Sequence, residues 1–117
     1  MSGSQTLRRL VRLDVAKELT FSGRVVSGAE AVELGLATQL SNSPREAALE
    51  LARDIAQRPP EAIRAGKALL DASGLISVEE GLQLEERLQK SLLGSRNQIE
   101  AVRAVLEKRE PEFQDPE

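Results

Sequence analysis

Beyond residue 20, four serines of this chain are each followed three residues later by an acid or amide: Ser27 by Glu30, Ser43 by Glu46, Ser77 by Glu80 and Ser95 by Gln98. In a capping box the serine oxygen accepts an orphan amide proton of the first helical turn. The Glu or Gln side chain then reaches back to the serine's own N–H. Four such signals spread over 117 residues predict a succession of separately started helices. Such an architecture makes surfaces readily, and the residues left to do chemistry on them are few.

The apolar spacing between these signals places the elements. Leu7, Leu10, Val11, Val15 and Leu19 recur at three and four residues and predict an amphipathic helix from Gln5 to Phe21, with a possible break near Leu13–Asp14. Met1–Ser4, small and polar, is expected to be structureless: a leader, or the remains of a glycine-rich loop. Ser22–Gly23 stops the first helix, and a short helix from Gly28 to Leu34 ends at Gly35, where a left-handed cap suits glycine. Leu36 to Leu40 is extended in character and would need a partner strand. Pro44, at a first helical position after Ser43, opens a helix to about Gln57 with Ala48, Leu51, Ala52 and Ile55 facing inward. Pro59–Pro60 ends it, and Glu61 to Ala72 follows with Ile63, Leu69 and Leu70 apolar. Ser77 starts the longest helix, to about Leu93, where Val78, Leu82, Leu84, Leu88, Leu92 and Leu93 cover about half the circumference. The last helix begins at Ser95, sets Ile99, Val102 and Leu106 against Glu100, Arg103 and Glu107, and cannot continue past Pro111. The reading is mainly α: about five to six helices, at most one short strand, in a single domain over 1–117. No repeat or linker divides it.

Composition removes whole classes of chemistry. With no His and no Cys there is no imidazole base, no thiolate nucleophile and no disulfide, and the usual zinc ligands are missing. No catalytic and no metal-binding residue is assigned. Two Phe and no Trp or Tyr leave no stacking platform for single-stranded nucleic acid. Sixteen basic against nineteen acidic side chains, a net of −3, disfavour phosphate backbones further. A helix-turn-helix reader would need a basic recognition helix, and none of the later helices is basic. No apolar run has membrane-spanning length and the start lacks a signal-peptide core, so neither nucleic acid nor membrane is expected as a partner. The expected location is cytoplasmic, or the mitochondrial matrix in a eukaryote.

Several segments together carry a resemblance. Ser4-Gln5-Thr6-Leu7-Arg8-Arg9-Leu10-Val11, Glu18-Leu19-Thr20-Phe21-Ser22-Gly23-Arg24, Ser27-Gly28-Ala29-Glu30-Ala31-Val32-Glu33-Leu34-Gly35-Leu36 and Glu107-Lys108-Arg109-Glu110-Pro111-Glu112-Phe113 resemble, in order, the C-terminal part of the crotonase superfamily, the enoyl-CoA hydratases and isomerases. The resemblance implies the helical C-terminal half of that fold, through which subunits trimerise. It also implies that the spiral domain bearing the acyl-CoA pocket, the oxyanion hole and the catalytic carboxylates lies outside this chain. Self-association as a dimer or trimer, no cofactor, and acyl-CoA as a substrate met only with the missing domain all follow as expectations. Lys108 matches the family lysine that pairs with CoA phosphates. Val105 stands where the family places a phenylalanine beside the adenine, Ala101 where glycine is usual, and Arg12 replaces the common glycine between the first two helices.

Blander readings stand beside these. The Arg8, Arg9, Arg12 cluster reads as a solvated helix face before it reads as a phosphate site. Lys108–Arg109 reads first as cations offsetting a helix C-terminus, worth a few tenths to about 1 kcal/mol. Glu79–Glu80 and Glu85–Glu86 point about 100° apart and face solvent. Two functions remain open: an assembly segment of an enoyl-CoA hydratase/isomerase, inactive alone, and a small helical interaction adaptor unrelated to acyl-CoA.

Overall fold

A computed structural model describes residues 3–115. The elements are α1 (Gly3–Leu10), α2 (Leu13–Ser22), α3 (Gly28–Glu33), α4 (Pro44–Ala56), α5 (Pro60–Ala72), α6 (Val78–Leu92) and α7 (Arg96–Glu107). No strand occurs among the described residues. The extended stretch Leu36–Leu40 finds no partner strand and stays irregular. The helix count rises above the sequence expectation because the first predicted helix is two, broken at Val11–Arg12. Gly3 and Ser4 are helical rather than structureless, while Met1 and Ser2 lie outside the described residues.

The chain divides into two compact units, Met1–Ala47 and Ala48–Glu117. In the first, α1 packs on α2 and buries Val11 and Ala16. Arg12, at φ −59, caps the start of α2 without needing a glycine, and its guanidinium grips Asp14 at 2.8 and 3.1 Å. Gly35 ends α3 with two nested bonds: its own N–H donates to the Val32 carbonyl and the Leu36 N–H to that of Ala31. Its φ of +82 and the 3.1 Å that a β-carbon would have to the Leu10 carbonyl both strain any side chain placed there. The family glycine is a packing requirement here, since it lets the α3 end meet the end of α1.

In the second unit α5 packs on α6 across the turn 73–77. Ser77 forms the complete capping box: its Oγ accepts the Glu80 N–H at 3.2 Å and its own N–H donates to Glu80 Oε2 at 2.8 Å. Two of the other three boxes are partial, and the one at Ser43 does not form. Ser27 accepts from Glu30 N–H, but Glu30 is drawn to Arg24. Ser95 accepts from Gln98 N–H, while Gln98 Oε1 reaches one residue further back, to Gly94 N–H. Ser43 gives its N–H to Ser41 Oγ instead of to Glu46.

The faces expected to be inward are the main correction. Leu51 and Ile55 of α4, Ile63 and Leu70 of α5, and Ile99, Val102 and Leu106 of α7 are all exposed. On α6, Leu84, Leu88 and Leu92 are half-buried, while Val78, Leu82 and Leu93 are open. Periodicity finds an apolar face correctly, but burial also needs a partner, and the described residues leave these faces uncovered.

Candidate functional site

The most constructed part of the molecule lies around the last helix. Asn97, in the first turn of α7, is only 2% exposed, as is Ala104 two turns along the same side. The Asn97 Nδ2 group donates to Glu61 Oε1 at 2.8 Å and Oε2 at 2.9 Å, and to the Gln114 carbonyl at 2.7 Å. Its Oδ1 accepts the Gln114 N–H at 2.9 Å. One amide side chain thus joins the start of α5, the start of α7 and the segment that returns after Pro111. No buried side-chain N or O atom among the described residues lacks a partner.

A second clasp stands beside it. Arg109 donates to Glu100 Oε1 at 2.6 Å and Oε2 at 3.1 Å, and to Glu107 Oε2 at 2.7 Å, while the Glu112 N–H donates to Glu100 Oε1 at 2.9 Å. The Glu100 side chain is 16% exposed. The guanidinium, the Glu112 amide and more distantly Arg103 hold its carboxyl well below the ordinary 4.5, at about 2. Between about pH 4.5 and about pH 2 the unfolded chain therefore takes up a proton that the folded chain refuses. Stability from this clasp is complete above the ordinary carboxylate range and is lost as pH falls. Urea midpoints from about pH 5 down to about pH 2.5 should show that decline, and Glu100→Gln should flatten it.

Lys108, the residue assigned to CoA, ends α7 at φ 53, ψ 45, the only non-glycine with positive φ among the described residues. Its N–H donates to the Val105 carbonyl, and the Arg109 N–H to that of Ala104, the same nested pair that glycine makes at α3. The ammonium is exposed and makes no ion pair with a described residue. A lysine in this conformation costs about 1–2 kcal/mol that glycine escapes, partly offset by the entropy of glycine in the unfolded chain. Lys108→Gly should therefore raise stability by about 0.5–1 kcal/mol, read as a higher thermal midpoint. Lys108 belongs to the second unit, and Arg8, Arg9 and Arg12 belong to the first.

Around these clasps the surface is grooved. Arg96, Ile99, Arg103 and Arg109 border an open recess of about 530 Å³. Phe113, half-buried, helps line another of about 420 Å³ with Ile55, Pro60 and Ile63. The terminal aromatic does lie against a neighbour, as its isolation in the tail suggests. Glu100 and Glu112 line the first recess among its arginines and Asp115 lines the second, and no group of three or more Asp or Glu among the described residues is placed to hold a metal ion.

The first unit carries one comparable device. Arg24 donates to Glu18 Oε1 and Oε2 at 2.7 and 3.1 Å and lies 2.7 Å from Glu30 Oε1, tying α2 to α3. Hydrogen bonds to these two acids push the Arg24 guanidinium above its ordinary value and hold both carboxyls below theirs. The segment Gly23–Gly35 that carried the resemblance is therefore an internal brace: a capped helix end, an arginine between two acids, and a glycine under Leu10. A family model described as enoyl-CoA hydratase/isomerase matches residues 1–116. This chain belongs to the enoyl-CoA hydratase/isomerase family. It is 33% identical over 117 residues to the mouse (Mus musculus) enoyl-CoA hydratase domain-containing protein 2, mitochondrial, covering 95% of this chain and 40% of that protein. It is 35% identical over 111 residues to the probable enoyl-CoA hydratase 2, mitochondrial, of Arabidopsis thaliana, covering 93% of this chain and 37% of that protein. Among solved structures, a probable enoyl-CoA hydratase/isomerase from Mycobacterium abscessus superposes with a TM-score of 0.89 at 35% identity, over 98% of this chain and 48% of that one. The chain thus spans about 40% of the length of the curated relatives it matches. No helix among the described residues is long and apolar enough to cross a membrane.

Asn97, Glu61 and Gln114 escaped sequence reading. The available signal was that Asn97 stands in register with Ala101 and Ala104, a stripe of small residues that marks a close approach. The large residues Ile99, Val102 and Leu106 drew attention to the opposite, open side.

Proposed function

We propose that this chain is an assembly segment of an enoyl-CoA hydratase/isomerase family protein, built to bury its leucines against copies of itself and against a catalytic half. One observation carries the reading. The chain exposes 9661 Å², where a folded protein of its mass exposes about 6,200 Å², and two separate globules of the two units' sizes about 7,500 Å². Large apolar side chains are part of that exposed surface: Val78 and Leu82 on α6, Leu93 at its end, Ile99, Val102 and Leu106 on α7, and Leu51 and Ile55 on α4 are open to solvent. Patches of that extent mark interaction surfaces.

By itself the chain is inactive on enoyl-CoA in this proposal. Stabilising a thioester enolate depends on preorganised donors and placed carboxylates, and Glu61, Glu80 and Glu100 are committed to clasps and caps. Lys108 contacts the CoA phosphates only once the acyl-CoA pocket is completed. Its exposure and freedom from ion pairs leave the ammonium available for that. Incubation of the purified chain with an enoyl-CoA should give no hydration above buffer. Light scattering at tens of micromolar should give a mass above one chain. Turnover, or a clean monomer, counts against the respective half of the proposal.

A further inference from the structure

We infer that the cleft between α1 and α2 binds a single-chain anionic amphiphile, an alkyl carboxylate. The cleft is an open recess of about 250 Å³. Leu7 from α1 and Leu13, Ala16 and Phe21 from α2 supply its apolar lining, and Ser4, Gln5 and Thr20 also border it. Phe21 is 81% exposed, so its ring is left largely in water. Arg8 from one helix and Lys17 from the other line the same recess.

Charge decides what fits. The acids nearest in sequence are already taken, Asp14 by Arg12 and Glu18 by Arg24. Arg8 and Lys17 make no ion pair with a described residue, so the rim presents two uncompensated cations above an apolar floor. An inorganic anion would satisfy the rim and leave the floor wet. A neutral chain would satisfy the floor and leave the cations unused. A molecule with an alkyl tail and a carboxylate head answers both, and the recess is smaller than the roughly 300–1,000 Å³ of drug-sized sites, so it takes one slender chain rather than a peptide. Its concavity between two helices also favours a monomer over a lipid surface, which needs an apolar face that can be laid flat.

The test is a titration of the full chain, nitrogen-15 labelled, with octanoate below its micellar range, following amide shifts in residues 4–21. Saturable shifts confined there are expected. Raising the salt should weaken them, and Arg8→Glu with Lys17→Glu should weaken binding about tenfold. All three substituted or lost side chains sit on exposed positions, and Phe21→Ala, which keeps both cations, should also weaken binding if the chain is gripped. Equal shifts from acetate or phosphate would reduce the site to an anion contact and overturn the inference. So would equal binding of octyltrimethylammonium or octyl glucoside, a response to anionic vesicles but not to octanoate, or cleft amides that move with protein concentration alone, which would assign the cleft to a second copy.

Discussion

Asn97→Asp should destabilise the second unit by about 3–5 kcal/mol, enough to abolish its folding in a chain this open. The substitution replaces the side-chain NH2 with an oxygen and adds a negative charge, with almost no change of shape. In place of an NH2 that donates to both Glu61 oxygens and to the Gln114 carbonyl, it sets a carboxylate that can only accept against two oxygens and a carbonyl. At 2% exposure water cannot repair the mismatch. Asn97→Ala should cost less, about 2 kcal/mol, because it leaves partners unsatisfied without adding a charge. Urea denaturation ranks the two. The aspartate variant should recover on acidification, since the introduced carboxyl, facing another, titrates above its ordinary range. Its neutral form can donate again, so its loss is largest at high pH. Equal destabilisation by alanine and aspartate, or none by either, would mean that the clasp does not hold this unit together.

The second large effect concerns association. Leu82 is 62% exposed in mid-α6, between Val78 and the half-buried Leu84. Leu82→Arg should leave helix content and unit stability within about 0.5 kcal/mol, because the described residues leave that position largely open. If α6 is the seam between copies, a buried unpaired guanidinium there should raise the dissociation constant by 100-fold or more, about 3 kcal/mol or above. Sedimentation of the variant beside the unmodified chain reads the difference. An unchanged mass distribution would move the seam elsewhere, with the α7 stripe Ile99, Val102 and Leu106 the next surface to charge.

How much of this was legible beforehand divides along one physical line. The helix starts and stops came through because each is set by a few adjacent residues: Ser77 with Glu80, Pro44 after Ser43, Gly23 and Gly35 at left-handed caps. Even the break in the first helix was visible to within about two residues, although Arg12 gave no glycine to mark it. The buried side of α7 was not legible. It depends on Glu61, 36 positions away, and on a returning tail. Hydrophobic periodicity pointed to Ile99, Val102 and Leu106, and the structure buries Asn97 and Ala104 instead. Periodicity reports what a helix wants to cover; only tertiary contacts decide what is covered within the chain and what waits for another. The candidate site divides the same way. Lys108 came from resemblance to a short motif, and its left-handed conformation, absent from any propensity table for lysine, needed coordinates.

The clasp at Asn97 also sets a timetable. Gln114 supplies both a donor and an acceptor to it and lies 17 residues downstream. During synthesis at about 5–20 residues per second, Asn97 spends about 1 to 3 seconds without that partner. The first unit, whose braces all lie before Ala47, can close while translation continues. The second must remain loose until its tail has been made, so ribosome pausing in the stretch between α7 and Gln114 would lengthen the interval in which its leucines are most open to chaperones and to misassembly.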